Sequence, residues 1–366
     1  MTKVSIAKCD SYNKEDVYKA VKKAVDLIGG IEKFVKKDQK VLLKPNLLSA
    51  SRVEKRITTD PAVLEAVIRL VKPITKKIYV GDSPAIQSTL LAVDVAGLKK
   101  ICNKYNVEIA DFEPCSDYKF REGKKLKGFQ LATIVKEVDV IINLPKFKTH
   151  IFMTFAGAVK NLYGCISGLT KAALHFTFPR RTDFGMMLLD IYHFIKPQLN
   201  IMDAVIGMEG RGPANGKPKK LGFIAASSDA LSLDWAICNL AKIDSGDVPI
   251  LTLTKDKSEV VGDKVEIKNL EYPKTKTFFD SVPVFFARVI RNVLRSKPIV
   301  NTKKCTACEN CVKICPAKTI KIINKKAYII PKECIRCYCC HEICPYDAID
   351  LKKPHLRKIY DRIRKR

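Results

Sequence analysis

Tryptophan occurs once, glutamine four times and histidine five times in this 366-residue chain, and nowhere does it hold 18 consecutive apolar residues. The missing apolar run excludes a conventional transmembrane helix. The N-terminal MTKVSIAKCDSYNKED also lacks the apolar centre and small-residue cleavage site of a secretory leader, so the expected location is cytoplasmic. Arginine is scarce beside lysine, 15 against 51, and aromatic residues make up 8%. Such a balance is found in heat-adapted proteins. It also weakens the case that the net charge of +28 marks a nucleic-acid binder, because arginine forks and stacking aromatics are the more specific signs. An acidic partner protein or an anionic small molecule fits the charge equally well.

What is present is a core. With 47% hydrophobic residues the chain is globular and long enough for two or three domains. Residues 1–275 read as strands alternating with helices. VSIAKC (4–9), VLLKPNLL (41–48), IYVGDSP (78–84), VEIADF (107–112), VDVIINLPK (138–146), LNIMDAVIGM (199–208) and GFIAAS (222–227) are strand candidates. Helical spacing puts Val17, Ala20, Val21, Ala24, Val25 and Ile28 on one stripe ending at Gly29-Gly30, and Val63, Leu64, Val67, Ile68 and Val71 on another capped by Thr59 or Asp60. Further helices are expected near 90–104, after Asp183 with Phe184, Met187, Leu188, Ile191 and Ile195 as its stripe, and from Asp229 to Ile243. Short apolar strands separated by helices indicate an α/β fold, a mostly parallel sheet covered by helices on both faces. An amphipathic connector helix is expected over 276–297, and a basic tail over 353–366.

Fourteen cysteines complete the picture, nine of them between Cys305 and Cys344. Cys9, Cys102, Cys115, Cys165 and Cys238 are scattered and read as buried small hydrophobes. Cys305, Cys308, Cys311 and Cys315 before Pro316 form the run C-x-x-C-x-x-C-x-x-x-C-P. Cys334, Cys337, Cys340 and Cys344 before Pro345 repeat it 29 residues later. Three closely spaced thiolates grip three corners of a cubane, and in the two-cluster pattern the fourth cysteine serves the other cluster. The expected cofactors are therefore two 4Fe-4S clusters, one on Cys305, Cys308, Cys311 and Cys344, the other on Cys334, Cys337, Cys340 and Cys315. Zinc sites use other spacings. Cys339 is left as a non-ligand neighbour, and TIKIINKKAYII reads as a hairpin turning at Asn324-Lys325-Lys326. Residues 298–352 closely resemble bacterial-type two-cluster ferredoxins, which implies a small α+β module.

In a parallel sheet, ligands bind outside the carboxyl ends of the strands. The residues just past those ends are Lys44 and Asn46; Asp82 and Ser83; Lys146, Lys148 and His150; and Asp203, Glu209 and Arg211. The glycine-containing segment 157–175 adds Lys160 and Asn161. His150, Lys146 and Asp82 are the candidate catalytic groups, and the others are candidate substrate contacts. Each also has a plainer reading: solvated lysines, a structural histidine, a turn-capping aspartate. EGRGPANGKPKK (209–220) is neither a phosphate-binding Walker loop, because no glycine stands five before Gly216, nor a dinucleotide fingerprint.

The pieces LLKPNLL (42–48), TTDPAV (58–63), VGDSP (80–84), LPKFKTH (144–150), AGAVKNLYGC (156–165) and DAVIGMEGRGP (203–213) resemble the family catalogued as domain of unknown function 362, often fused to ferredoxin modules. The resemblance implies an α/β domain and names no substrate. The leading expectation is a redox-coupled enzyme that passes electrons from the clusters to an anionic substrate or cofactor in the crevice. The alternatives are a non-catalytic electron carrier docking a redox partner protein, and a cluster delivery or assembly protein.

Overall fold

The computed structural model describes residues 1–275 and 295–354. By compactness the chain divides into two units, Met1–Lys171 with Gly185–Thr275, and Ala172–Phe184 with Lys276–Arg366. The first unit carries strands β1 (Thr2–Lys8), β2 (Val41–Pro45), β3 (Ile78–Val80) and β4 (Glu108–Ile109), the hairpin β5 (Cys115–Lys119) and β6 (Gly128–Ala132), then β7 (Val140–Leu144), β8 (Lys146–His150), β9 (Thr154–Ala156), β10 (Leu199–Glu209), β11 (Lys217–Ser227) and β12 (Ser258–Gly262). Ten of these form one sheet in the order β12-β1-β11-β10-β7-β2-β3-β4, with β8 paired to β10 and β9 to β8. The pairing is mostly parallel. The exceptions are β11, which runs antiparallel to both β1 and β10, and β9, which runs antiparallel to β8.

Helices α1 (Lys14–Asp26) and α2 (Pro61–Val71) begin where capping chemistry dictates. The Asn13 side chain accepts from the amides of Glu15 and Asp16, and Asp60 accepts from that of Ala62 with Pro61 in the first turn. Every residue of both expected stripes is buried. At about 1.5–3 kcal/mol for each fully buried aliphatic side chain, these stripes hold the helices on the sheet. The helix expected near 90–104 is two, α3 (Thr89–Val95) and α4 (Leu98–Tyr105). Gly97 divides them at φ +76°, a left-handed backbone that glycine adopts without cost. Short helices α5 (Ile134–Glu137) and α6 (Ala158–Asn161) lead to α7 (Gly168–Thr177), α8 (Arg181–Ile195), the buried α9 (Ala230–Leu240) and α10 (Pro249–Thr252).

The described part of the C-terminal region has β13 (Lys297–Val300) paired antiparallel with β16 (Ile349–Lys352), and a hairpin of β14 (Ile320–Ile323) and β15 (Lys326–Ile329). Its turn is Asn324-Lys325, both residues at positive φ, so Lys326 belongs to the strand and not to the turn. Between the strands lie α11 (Asn310–Lys313) and α12 (Cys339–Ile343). Most of the connector helix expected over 276–297 and nearly all of the basic tail lie outside the described residues. Residues 295–296 lead into β13, whose second residue is Pro298.

Candidate functional site

From β2 the chain steps outward through β3 to β4, then returns to place β7 on the other side of β2. This reversal of strand order is the point where a parallel sheet opens a crevice beyond its carboxyl ends. Proline ends the pairing on both strands. Pro45 ends β2 opposite Leu144, and Pro145 follows at once, so the β2–β7 ladder stops there. The chain continues as β8, which pairs instead with β10 at Asp203 and Met208. Along β8 the side chains alternate, which puts Lys146, Lys148 and His150 on one face.

All five residues of β8 are buried, so its charges require partners inside the protein. Lys146 Nζ lies 2.8 Å from Asp203 Oδ2 and donates to the Tyr12 hydroxyl at 2.6 Å, while that hydroxyl donates to Asp203 Oδ1 at 2.7 Å. The backbone N–H of Asp60 donates to Asp203 at 3.0 Å, and the Asp60 carboxylate pairs with Arg56 at 2.7 Å. Burial and the charge of Asp203 push the Asp60 carboxyl up to about 6, and the same two causes raise the Tyr12 hydroxyl well above its ordinary value. A second buried pair joins Lys44 to Asp82 at 2.8 Å, with the N–H of Leu47 completing the carboxylate.

Between the pairs runs a row of amides. Asn46 donates to Asn161 at 2.9 Å, Asn161 to Asn143 at 2.8 Å, and Asn143 to Asn200 at 2.9 Å. Lys148 closes the row by donating to the Asn46 side-chain oxygen and, at 3.0 Å, to the carbonyl of Ile57. His150 Nδ1 accepts the amides of Phe152 and Met153 at 3.0 and 3.3 Å, which leaves the ring hydrogen on Nε2. Ser83 is tied by its N–H to the carbonyl of Gly164 at 3.0 Å. Lys160 is half-buried with its Nζ 5.9 Å from the Tyr163 ring centre.

The sequence-derived candidates are thus distributed unequally. Lys44, Asn46, Asp82, Asn161 and Lys148 are joined in one network, while Lys146 and Asp203 form a neighbouring one. Glu209 and Arg211 stand at the tip of the β10–β11 ribbon, where Glu209 accepts the N–H of Glu271 at 3.0 Å and Arg211 is exposed. Tyr12, Arg56, Asp60, Asn143 and Asn200 belong to the networks and were not singled out as site residues from the sequence, where Asp60 was read only as a helix cap. Asn143 and Asn200 carried a usable signal, since an asparagine inside an apolar strand demands a buried partner. Tyr12 carried one too. It follows β1, which is parallel to β10 because both run antiparallel to β11.

In the C-terminal region the cysteines gather around two concavities. Cys305, Cys308, Cys311 and Cys344 line one, and Cys315, Cys334, Cys337 and Cys340 line the other, with Cys339 beside them. The sequence duplication reappears in the backbone. Ala307, Glu309 and Lys318 are left-handed at φ 57°, 62° and 51°, and Arg336, Tyr338 and Asp347, each 29 positions later, at 56°, 68° and 46°. Amides point at sulfur in the same symmetric way, Thr319 N–H to Cys315 Sγ at 3.4 Å and Ala348 N–H to Cys344 Sγ at 3.3 Å. Four thiols per concavity with amide donors at their sulfurs fit a 4Fe-4S cluster. Cys339 is buried and hydrogen-bonds the Cys337 sulfur, which lowers the Cys337 thiol below its ordinary range.

Among the described residues no helix is long and apolar enough to cross a membrane. A profile of 4Fe-4S dicluster domains matches residues 297–345. The profile described as domain of unknown function (DUF362) matches residues 41–239. The chain is 32% identical over 249 residues to the thylakoid-associated protein sll1697 of Synechocystis, an alignment covering 68% of this chain and 77% of the relative. Among solved structures, the lactate racemase apoprotein of Thermoanaerobacterium thermosaccharolyticum aligns at a TM-score of 0.43 and 12% identity, over 66% of this chain and 57% of that one. The chain therefore spans little more than half of that racemase. On the extent of the profile and of the Synechocystis alignment, the chain belongs to the DUF362 family and carries a ferredoxin-type 4Fe-4S dicluster domain near its C-terminal end.

Proposed function

We propose that this is an iron-sulfur electron-transfer protein of the redox-coupled enzyme type, delivering electrons to an anionic substrate or cofactor at the strand-reversal crevice. Cys305, Cys308, Cys311 and Cys344 would hold one cluster, and Cys315, Cys334, Cys337 and Cys340 the other. A bound 4Fe-4S cluster supplies one-electron transfer. The observation that carries the reading is the gathering of two sets of four thiols, each drawing from both halves of the duplication.

In this reading the residues of the crevice bind, orient and hold protons. Asn46, Asn161 and Lys148 present fixed dipoles and charge to the ligand, Lys160 and Ser83 border it, and Asp82 orients Lys44. His150 bears a proton at Nε2, and Lys146 shares its protons with Tyr12 and Asp203. Glu209 and Arg211 guard the ribbon tip. The Synechocystis relative is named for thylakoid association, so our reading includes a membrane surface among the places of work.

The test uses anaerobically reconstituted protein, chemically reduced and mixed with a panel of anionic acceptors, with reoxidation followed by visible absorbance. Reoxidation that saturates with one acceptor and is lost in Lys148→Met and His150→Ala variants with full iron content is the expected result. Unchanged rates in those variants would remove the crevice from the pathway. The net charge of +28 favours one second reading, a carrier that docks an acidic redox partner. Recovery of a stable complex with no small-molecule turnover would select it.

A further inference from the structure

One basic group at the crevice has no part in the networks above. Lys171, near the start of α7, donates from Nζ to the carbonyl oxygen of Ser83 and, at 3.3 Å, to that of Pro84. Two of its three N–H groups are thereby used on the loop that leaves β3. The side chain is only half-buried. Its helix is pinned by the Tyr163 hydroxyl, which donates to the Lys171 carbonyl at 2.7 Å.

The charged groups acting most strongly on this amine are Asp82, Lys44 and Lys160. Asp82 is already committed to Lys44 and to the N–H of Leu47. Two thiols face the amine as well, Cys165 and Cys115, and burial raises both, Cys165 to about 12, so they stay neutral. Positive charge is therefore in excess at this corner. Burial first, and then Lys44 and Lys160, push the Lys171 amine down to about 8. Gly164 makes the corner so close, since a Cβ there would come 1.9 Å from Asp82 Oδ1 and 2.8 Å from Lys44 Nζ.

We propose that the corner formed by Ser83, Gly164 and Lys171 is the anion subsite of the crevice, taking the phosphate or carboxylate group of a small ligand against the Lys171 amine. The inference deepens the proposed function and rests on its placement of an anionic ligand here. An arriving anion offsets the repulsion from Lys44 and Lys160, and so raises the proton affinity of Lys171.

Pyridoxal 5′-phosphate tests this on the full chain. Its aldehyde carbon bonds to a neutral amine as water leaves, cyanoborohydride reduces the resulting imine by hydride, and its phosphate requires a cationic neighbour. A lysine titrating near 8 has a neutral fraction on the order of a hundredfold above that of an ordinary lysine. Peptide mapping after labelling at near-neutral pH should place at least about tenfold more label on Lys171 than on the typical lysine. Inorganic phosphate or acetate should protect that position alone, the stronger protector assigning the ligand class. Lys160→Met should lower the Lys171 label severalfold, while Lys171→Arg removes it and leaves the other peptides unchanged. Label spread evenly over the lysines, or Lys171 label indifferent to both anions, would overturn the proposal, and the protection arm needs no variant. Labelling draws no electrons from the clusters, so its failure and that of the electron-transfer reading are distinguishable.

Discussion

The side chains of Lys44 and Lys146 have no measurable exposure, and each is held against a carboxylate at 2.8 Å. Removing one partner of such a pair strands the other charge in a medium that cannot solvate it. Lys44→Met is therefore expected to destabilise the larger unit by about 3–5 kcal/mol, and Lys44→Met with Asp82→Leu by clearly less than the two single changes together. Denaturant unfolding followed by Trp235, the sole tryptophan, measures both. Asp60 supplies a pH-dependent counterpart. Its carboxyl is raised to about 6 by burial and Asp203, so its contribution to stability is complete below the unfolded value near 3.9 and is lost as pH rises through about 6. Asp60→Asn keeps a capping side chain and should flatten the difference between pH 4 and pH 7 by on the order of 1–3 kcal/mol. The sequence places Lys44, Asp82, Lys146 and Asp203 after strands. It cannot pair them, because the partners lie 38 and 57 residues apart.

Among the elements, those whose burial is one-sided or complete were legible. The stripes of α1 and α2 and the apolar runs of β7 and β10 announce themselves by spacing. β8 did not, because KFKTH carries two lysines and a histidine into a fully buried strand, contrary to every hydrophobic pattern. The β5–β6 hairpin escaped for the opposite reason: β5 buries none of its residues, and the alternation in β6 runs only from Gly128 to Leu131. VEIADF shrinks to the two residues of β4, at the sheet edge, where only one neighbour exists to extend the ladder. The turn before α7 is the most sensitive element near the crevice. Gly164→Ala is expected to cost about 1–3 kcal/mol, because Asp82 and Lys44 are fixed by each other and have nowhere to move. Thermal melts of the variant, with anion protection of Lys171 measured alongside, check that the same contact shapes the subsite.

For the whole molecule, the spacing of eight cysteines states the C-terminal chemistry more completely than anything states the role of the crevice, because cubane ligation is local and the candidate crevice residues come from distant segments. One prediction separates interlocked from sequential ligation. Cys315→Ser, though in the first motif, should cost the cluster gripped by Cys334, Cys337 and Cys340, leaving roughly four irons of eight and the other cluster's spectrum intact. Iron analysis and electron paramagnetic resonance decide it. If electrons also reach an acidic protein, their rate should fall as salt shortens the reach of the +28 surface.

The position of β1 has a consequence for synthesis. β1 lies between β11 and β12, whose residues emerge from the ribosome more than two hundred positions after its own. Until Lys217–Ser227 and Ser258–Gly262 arrive, both of its edges stay open to wrong partners. Chains stalled before residue 217 should therefore lean on holdase chaperones far more than chains stalled after 262, and the late seating of β1 should slow maturation.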